Sequence, residues 1–273
     1  MTQIKTPMKS ILITGASGGM GRATVALFAE QGYRVFALDR TPCEAQDNII
    51  PIVADVTQEE SILEAYQKVA SQTDQLYAIL HFAGIYMLDS LAEISNRDFS
   101  RIMSINLQGA YLINKTFLPL LQKGSRIVIT TSELATLDPL PFTGIYAVSK
   151  AALDKYAFSL AMELQLLGIS VSVLRAGAVC TDMLGVSTDA LDRFCDNTKL
   201  YTYNAKRFKD IVNRVEARNI STQKIAAKVL RMIKKKNPRF GYSINRNPLL
   251  VLLNCLPKRL QLWAIKLVIT TKS

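Results

Sequence analysis

Ser10-Ile-Leu-Ile-Thr-Gly-Ala-Ser-Gly-Gly-Met-Gly21 decides the fold. Its first five residues form a short apolar run without charge, the pattern of a strand covered on both faces. A helical pattern follows from Gly19 to Gln31 and stops at Gly32. Between them, glycines at 15, 19 and 21 remove side chains where a backbone must turn tightly and approach a pyrophosphate. The helix behind them aims its free N–H groups and positive end at the same place. Ser17, Gly18 and Met20 complete the turn and join Gly15, Gly19 and Gly21 as candidate cofactor-binding residues.

Outward from this turn the chain keeps a β-α-β rhythm. Strands are expected at 33–39, 49–54, 76–82, 126–131 and 169–174, and helices at 58–71, 98–121 and 145–167. Most of the strands are continuous apolar runs, which predicts a doubly wound parallel sheet of Rossmann type with helices on both faces. After Arg175 the rhythm breaks. A polar, aromatic stretch over 183–220 reads as a substrate loop, followed by a helix at 221–236 and a short strand near Phe240-Gly-Tyr-Ser. The reading is one catalytic domain over 1–246 and a helical, basic and apolar C-terminal extension over 247–273.

The 273 residues, 49% hydrophobic and 20% charged, suit one globular α/β domain with a sizeable core. One histidine, His81, excludes a multi-histidine metal site, and Cys43, Cys180, Cys195 and Cys255 are scattered without a CxxC pair, so no metal is expected. Reduced thiols, a polar N-terminus without an apolar signal core and the lack of eighteen consecutive apolar residues predict a cytoplasmic protein. The net charge of +11 is lopsided: Ala217–Ser273 holds thirteen Lys/Arg and no Asp/Glu, which leaves the first 216 residues at −2. A basic end invites a nucleic-acid reading, but no helix-turn-helix, zinc finger or aromatic RNA-binding motif accompanies it, and no nucleic-acid partner is expected.

Asp39 ends the second strand, 18 residues after Gly21. A carboxylate there accepts hydrogen bonds from adenosine ribose hydroxyls and repels a 2′-phosphate, which favours NAD. Arg40 next to it offers a guanidinium that would hold that phosphate in NADP. Asp55, in Asp55-Val56-Thr57, reads equally as a helix N-cap.

Tyr146-Ala-Val-Ser-Lys150 places an ammonium one helical turn from a phenol. A free phenol has a pKa of about 10 and is a poor base at neutral pH. A nearby cation is expected to stabilise the phenolate and lower that value. Ser132, just past the fifth strand, has a hydroxyl suited to hold a substrate oxygen against the tyrosine; Thr131 is the alternative. A carboxylate from Glu133 would repel a carbonyl oxygen.

The G-x-x-x-G-x-G spacing of the turn, followed by Tyr146-x-x-x-Lys150, resembles the short-chain dehydrogenase/reductase family, over residues 8–185. The resemblance implies an enzyme, an NAD(P)-dependent alcohol dehydrogenase or ketoreductase with a catalytic tetrad of Asn106, Ser132, Tyr146 and Lys150. In it, Asn106 bends its helix and holds a water reaching the lysine. Tyr146 and Lys150 also contact the cofactor. Asp55 and Val56 approach the adenine, Ala83 and Gly84 allow close approach to the cofactor, and Gly177, Val179 and Thr181 meet its nicotinamide end. Ser132 and Tyr146 stand one residue further apart than is common in the family, and the loop between them absorbs the difference. Two departures stand out. His81-Phe-Ala-Gly84 replaces the usual Asn-Asn-Ala-Gly and leaves open how the sheet is tied there, and Ala176-Gly177 replaces Pro-Gly.

Tyr86, Leu88, Leu137, Leu140, Phe142, Met183, Leu184, Leu191 and Phe194 fall on the loops at the expected carboxyl ends of the strands. They suggest either an apolar pocket or loops packed on themselves. The segment Leu140-Pro-Phe-Thr-Gly-Ile-Tyr146 and the long extension resemble hydroxysteroid and retinol dehydrogenases, which implies a bulky lipophilic alcohol or ketone of steroid, bile-acid or retinoid type. The alternative class is a non-catalytic dinucleotide-sensing regulator, which would not need the tyrosine–lysine pair. In the family the two long helices pair across a dimer axis, so the resemblance implies a homodimer or homotetramer. In the extension, two short amphipathic helices broken by Pro257, with Trp263 and lysines, would either lie on an anionic membrane surface or cover the protein's own pocket or a subunit neighbour.

Overall fold

The computed structural model describes residues 8–180, 182–214 and 219–270. The first half alternates as read: β1 (Ser10–Thr14), α1 (Gly19–Glu30), β2 (Arg34–Asp39), β3 (Ile49–Val53), α2 (Glu59–Ala70) and β4 (Leu76–His81). Then come α3 (Asn96–Met103), a π-helical turn (Ser104–Gln108), α4 (Gly109–Phe117), β5 (Leu121–Ser132), α5 (Gly144–Leu164) and β6 (Ser170–Ala176). The remainder holds β7 (Val179–Cys180), α6 (Asp182–Asn197), α7 (Thr202–Arg214), β8 (Ile220–Ser221), α8 (Thr222–Ile233), β9 (Gly241–Ile244), α9 (Pro248–Asn254) and α10 (Lys258–Thr270).

Seven strands form one parallel sheet in the order β3-β2-β1-β4-β5-β6-β9. The order reverses beside β1, so a crevice opens at the carboxyl ends of β1 and β4. All five residues of β1 are buried, which explains its unbroken apolar run. Its side chains alternate between two cores. Leu12 faces α2, α4 and α5, while Ile11 and Ile13 face α1 and α8. Phe28 on α1 is fully buried, a contribution of about 2–3 kcal/mol. A third, smaller cluster of Leu88, Leu191, Phe194, Ala205, Phe208 and Ile269 packs α6, α7 and α10 together.

Two expectations are corrected. The stretch read as a loop over 183–220 is mostly the helices α6 and α7. Their buried residues fall at helical spacing, Ala190, Leu191 and Phe194 on one and Ala205 and Phe208 on the other, and the intervening polar residues masked that period. The helix read as 98–121 ends at Phe117, because Pro119 falls in a 3-10 turn over Leu118–Leu120 and lacks the N–H to continue. β5 then begins at Leu121, which pairs with Leu76 before a register shift. The Ser125 hydroxyl fills that irregularity by donating to the Leu76 carbonyl at 2.7 Å.

His81 shows how the sheet is tied where asparagine is absent. It is buried at the end of β4, with Nε2 2.9 Å from Asn114 Oδ1 on α4. Asn114 Nδ2 donates in turn to the Tyr156 hydroxyl on α5. Burial lowers the imidazole pKa from 6.5 to about 4, against the opposing pull of Asn114. The unfolded chain therefore binds this proton more readily than the folded one between those values, so stability present above pH 6.5 is lost as pH falls towards 4. The loss expected is about 3 kcal/mol. Urea unfolding of the native chain and of His81→Asn at pH 7 and pH 4.5 measures it: the variant's stability should fall less. Equal slopes would show that the imidazole is not buried neutral.

Candidate active site

Four groups of residues meet at the carboxyl end of the sheet. The first is the glycine turn. Gly15 adopts φ +67°, and a Cβ there would stand 2.5 Å from the Ala83 nitrogen. A Cβ on Gly21 would stand 2.0 Å from the Gly15 carbonyl oxygen, so turn and helix interlock only without side chains. Gly18 caps α1 without a side chain to satisfy its first N–H groups, which leaves the positive end of the helix facing the crevice.

The second group reads the far side of the turn. Asp39 Oδ2 accepts from the Ser17 N–H at 3.0 Å and Oδ1 from the Thr41 N–H at 3.2 Å. The Ser17 hydroxyl donates to the Thr41 carbonyl. Asp55 Oδ1 accepts from both the backbone and the hydroxyl of Thr57, at 2.8 and 2.7 Å. Burial raises its pKa, but these hydrogen bonds and Arg40 outweigh that and leave it lowered. The N-cap of α2 is Gln58, so Asp55 closes a turn before the helix instead of capping it.

Gly15, Gly18, Gly19, Met20, Gly21, Asp39, Arg40, Asp55, Val56, Ala83 and Gly84 line one cleft of about 1040 Å³, and Ser17 stands outside its lining, tied to Asp39 and Thr41. The cleft continues past Tyr86 to Ala190, Arg193, Phe194 and Asn197 of α6, a wall missed by reading that segment as a loop. The lost side chains at Gly15 and Gly21 and the uncapped helix end fit a dinucleotide lying along the cleft.

Tyr146, Ser132, Lys150 and Asn106 form the third group and adjoin the cleft at Gly84–Tyr86. Asn106 is buried in the π-helical turn. Its Oδ1 accepts from the Ile85 N–H at 2.8 Å, and its Nδ2 donates to the Ile85 carbonyl and the Ser149 hydroxyl, both at 3.0 Å. The i→i+5 geometry widens the helix at this point and turns the amide inward. Lys150 is buried, with Nζ donating to the Thr130 carbonyl at 3.3 Å and 5.8 Å from the centre of the Tyr146 ring. A Cβ on Gly84 would come within 3.4 Å of that Nζ. The Ser132 hydroxyl accepts from the Leu134 N–H at 3.2 Å and stands near enough to the Tyr146 phenol to pull its pKa down. Thr131 instead donates to Asp154 Oδ1 at 3.2 Å, and Asp154 grips Arg175 through two hydrogen bonds at 2.9 and 2.8 Å. Glu133 is occupied by the Asn247 N–H at 2.7 Å.

The electrostatics correct one expectation. The Tyr146 pKa is raised, not lowered: burial is the main cause, the Tyr86 phenol adds to it, and the nearby Ser132 hydroxyl only opposes it. Tyr86 packs edge-on at 4.9 Å between ring centres and is itself pushed up to about 12 by burial. Lys150, also desolvated, falls to about 8. The lysine is thus a weakened cation in apolar surroundings and does not by itself prime the phenol.

Gly177 and Val179 form the fourth group, beyond β6 and outside the lining of the cleft. Gly177 donates to the Ile244 carbonyl at 3.0 Å, and a Cβ there would overlap the Asn245 carbonyl at 1.8 Å. Thr181 and the side chains of Met183 and Leu184 lie outside the described residues. Of the other apolar loop residues, Leu88, Leu191 and Phe194 are buried against one another and Phe142. Phe142 stacks at 4.5 Å from Phe194 and 5.6 Å from Phe208. They form a packed floor, and Tyr86 is the member that touches Tyr146.

A family model described as short chain dehydrogenase matches residues 9–192. The chain is 27% identical over 240 residues to a 3-ketodihydrosphingosine reductase of Bacteroides thetaiotaomicron, covering 84% of this chain and 85% of that one. It is 30% identical over 194 residues to human 17-beta-hydroxysteroid dehydrogenase type 2, covering 66% of this chain and 49% of that one. Its fold matches a short chain dehydrogenase of Burkholderia cenocepacia in complex with NADP, with a TM-score of 0.72 and 18% identity over 97% of this chain and 98% of that one. Glycine cleft, sheet order and matched length agree: the chain belongs to the short chain dehydrogenase family of oxidoreductases.

Proposed function

We propose that the protein moves a hydride between a nicotinamide cofactor and a secondary alcohol or ketone on a bulky lipophilic molecule. The observation that carries this reading is the convergence of Tyr146, Ser132 and Lys150 on the rim of the glycine cleft, with Lys150 Nζ against Gly84. A bound nicotinamide supplies or accepts the hydride. The chain's own residues handle the proton and the geometry. In reduction the Tyr146 phenol, kept protonated by burial, gives its proton to the carbonyl oxygen, and in oxidation it takes that proton back. Ser132 hydrogen-bonds the same oxygen, and Lys150 holds the cofactor ribose. Asn106 positions the segment at Ile85 and links it through Ser149 to the catalytic helix.

The cofactor would lie on Gly15, Ser17, Gly18, Gly19, Met20 and Gly21, with its adenosine towards Asp39, Arg40, Asp55 and Val56 and its nicotinamide towards Ala83, Gly84, Gly177, Val179 and Thr181. NAD is the preferred form, because the Asp39 carboxylate is fixed by two backbone N–H groups where a 2′-phosphate would sit. Asp39→Asn removes the charge and, having one acceptor oxygen, keeps one of those two bonds. It should weaken NAD and strengthen NADP by about tenfold each, read by titrating the quenching of protein fluorescence. An unchanged ratio would reassign the choice to Arg40.

The lipophilic substrate is supported by the apolar floor under Tyr86 and by two relatives named for a ketodihydrosphingosine and a hydroxysteroid. Following the absorbance of reduced nicotinamide against steroid, retinoid and long-chain keto-lipid panels tests it. Turnover confined to small polar ketones would end the lipophilic reading. The outer faces of α4 and α5 expose Tyr111, Phe158 and Met162, which suits pairing with a second copy.

A further inference from the structure

We propose that α9 and α10 form a docking surface for an anionic lipid bilayer. The inference is independent of the catalytic assignment. Leu249 and Leu252 on α9, three residues apart, are 60% and 66% exposed, and Leu260, Leu262 and Trp263 on α10 are 49%, 70% and 63% exposed. The inner side of α10 is already used: Ile269 is buried in the cluster with Ala205 and Phe208, and Gln261 is buried and donates to the Leu256 carbonyl at 2.8 Å. The outward apolar side is therefore surplus to folding, and its cost in water calls for a partner.

Charge selects that partner. Exposed Arg259 and Lys266 flank Trp263 on the same outward side of α10, and no Asp or Glu occurs from Ala217 to Ser273. An apolar strip with a tryptophan, flanked by Arg259 and Lys266, complements lipid tails below anionic headgroups. No helix among the described residues is long and apolar enough to cross a membrane, so the contact is with the surface.

The platform is also fastened to the site. Asn247 caps α9 by accepting from the Leu249 and Leu250 N–H groups, and its own N–H donates to Glu133. The Asp138 N–H donates to Asn254, and the Asp138 carboxylate pairs with Lys258. Both anchors fall between Ser132 and Tyr146, so a bilayer against α10 would lie beside the segment that carries the reacting groups.

Trp263 is the chain's single tryptophan and reports directly. Full-length protein is mixed with vesicles of phosphatidylcholine alone or with phosphatidylglycerol added, at low and high salt. The expected result is co-sedimentation and a blue shift of Trp263 emission with the anionic vesicles, both weakened by salt. Arg259→Gln with Lys266→Gln should weaken partitioning about thirtyfold. Leu249→Ser with Leu252→Ser should weaken it as well, and circular dichroism checks that each variant keeps its helices. The proposal is overturned by unchanged emission with no sedimentation at low salt. It is also overturned by equal binding to neutral vesicles, or by a lipid-free blue shift that grows with protein concentration, which would assign the strip to a second copy.

Discussion

Tyr146→Phe is expected to lower turnover by about a thousandfold or more while leaving cofactor affinity within about twofold. The substitution removes one oxygen and keeps the ring. The ring's edge-on contact with Tyr86, at 4.9 Å, survives, so the fold and the cleft should not move. What disappears is the proton that must reach, or leave, the substrate oxygen, and no neighbour replaces it. Ser132 is a far weaker acid than a phenol, and the Lys150 ammonium already donates to the Thr130 carbonyl at 3.3 Å. Single-turnover measurement of cofactor oxidation, alongside a cofactor titration, separates the two effects. Turnover near that of the native chain would remove Tyr146 from the chemistry, and a parallel loss of cofactor affinity would make it a packing residue.

The second large effect belongs to the glycine turn. Gly21→Ala should weaken cofactor binding roughly a thousandfold, because it displaces at least two N–H groups aimed at the pyrophosphate, each a charge-assisted bond of about 1.5–3 kcal/mol. The added carbon would stand 2.0 Å from the Gly15 carbonyl oxygen and 2.9 Å from Ala16 Cα, both backbone atoms without a rotamer to escape through. Gly18→Ala is the internal control. Its added carbon would meet the same oxygen at 3.5 Å, an ordinary contact, so binding should change little. Isothermal titration of both variants decides it. Equal losses would mean that the turn resists any side chain, and equal retention would mean that the cofactor does not depend on this turn.

The first six strands were legible because most are buried on both faces over a run of apolar residues, as Ile11–Ile13 are in β1 and Ile127–Ile129 in β5. Tyr146, Lys150 and Ser132 were legible because helical spacing and a strand end place them without knowledge of the rest of the chain. Three things were not legible, each for its own reason. α6 and α7 cover the site with one apolar side of two short helices, and their aromatic and polar residues mimic a loop. The sign of the Tyr146 shift is set by its burial, with Tyr86, sixty positions away, adding to it, and no local pattern encodes either. The replacement of the family's asparagine by His81 was visible, but its partner Asn114 was a polar helix residue like any other until the fold brought it to 2.9 Å.

α5 carries more than its share. Along one helix, Tyr146 and Lys150 face the cleft, Ser149 receives Asn106, and Asp154 receives Thr131 and Arg175, while Phe158 and Met162 look outward. Each residue added to a helix rotates everything after it by about 100°. A single insertion between Tyr146 and Asp154 would therefore uncouple chemistry, sheet anchoring and outer face in one step. This stretch tolerates exchange of side chains but not a change of length, whereas the neighbouring loop from Glu133 to Thr143 absorbs an extra residue without disturbing the helix. Lineages and designers alike are free to edit the approach to this helix, and indels inside it should be the rarest changes that any functional library returns.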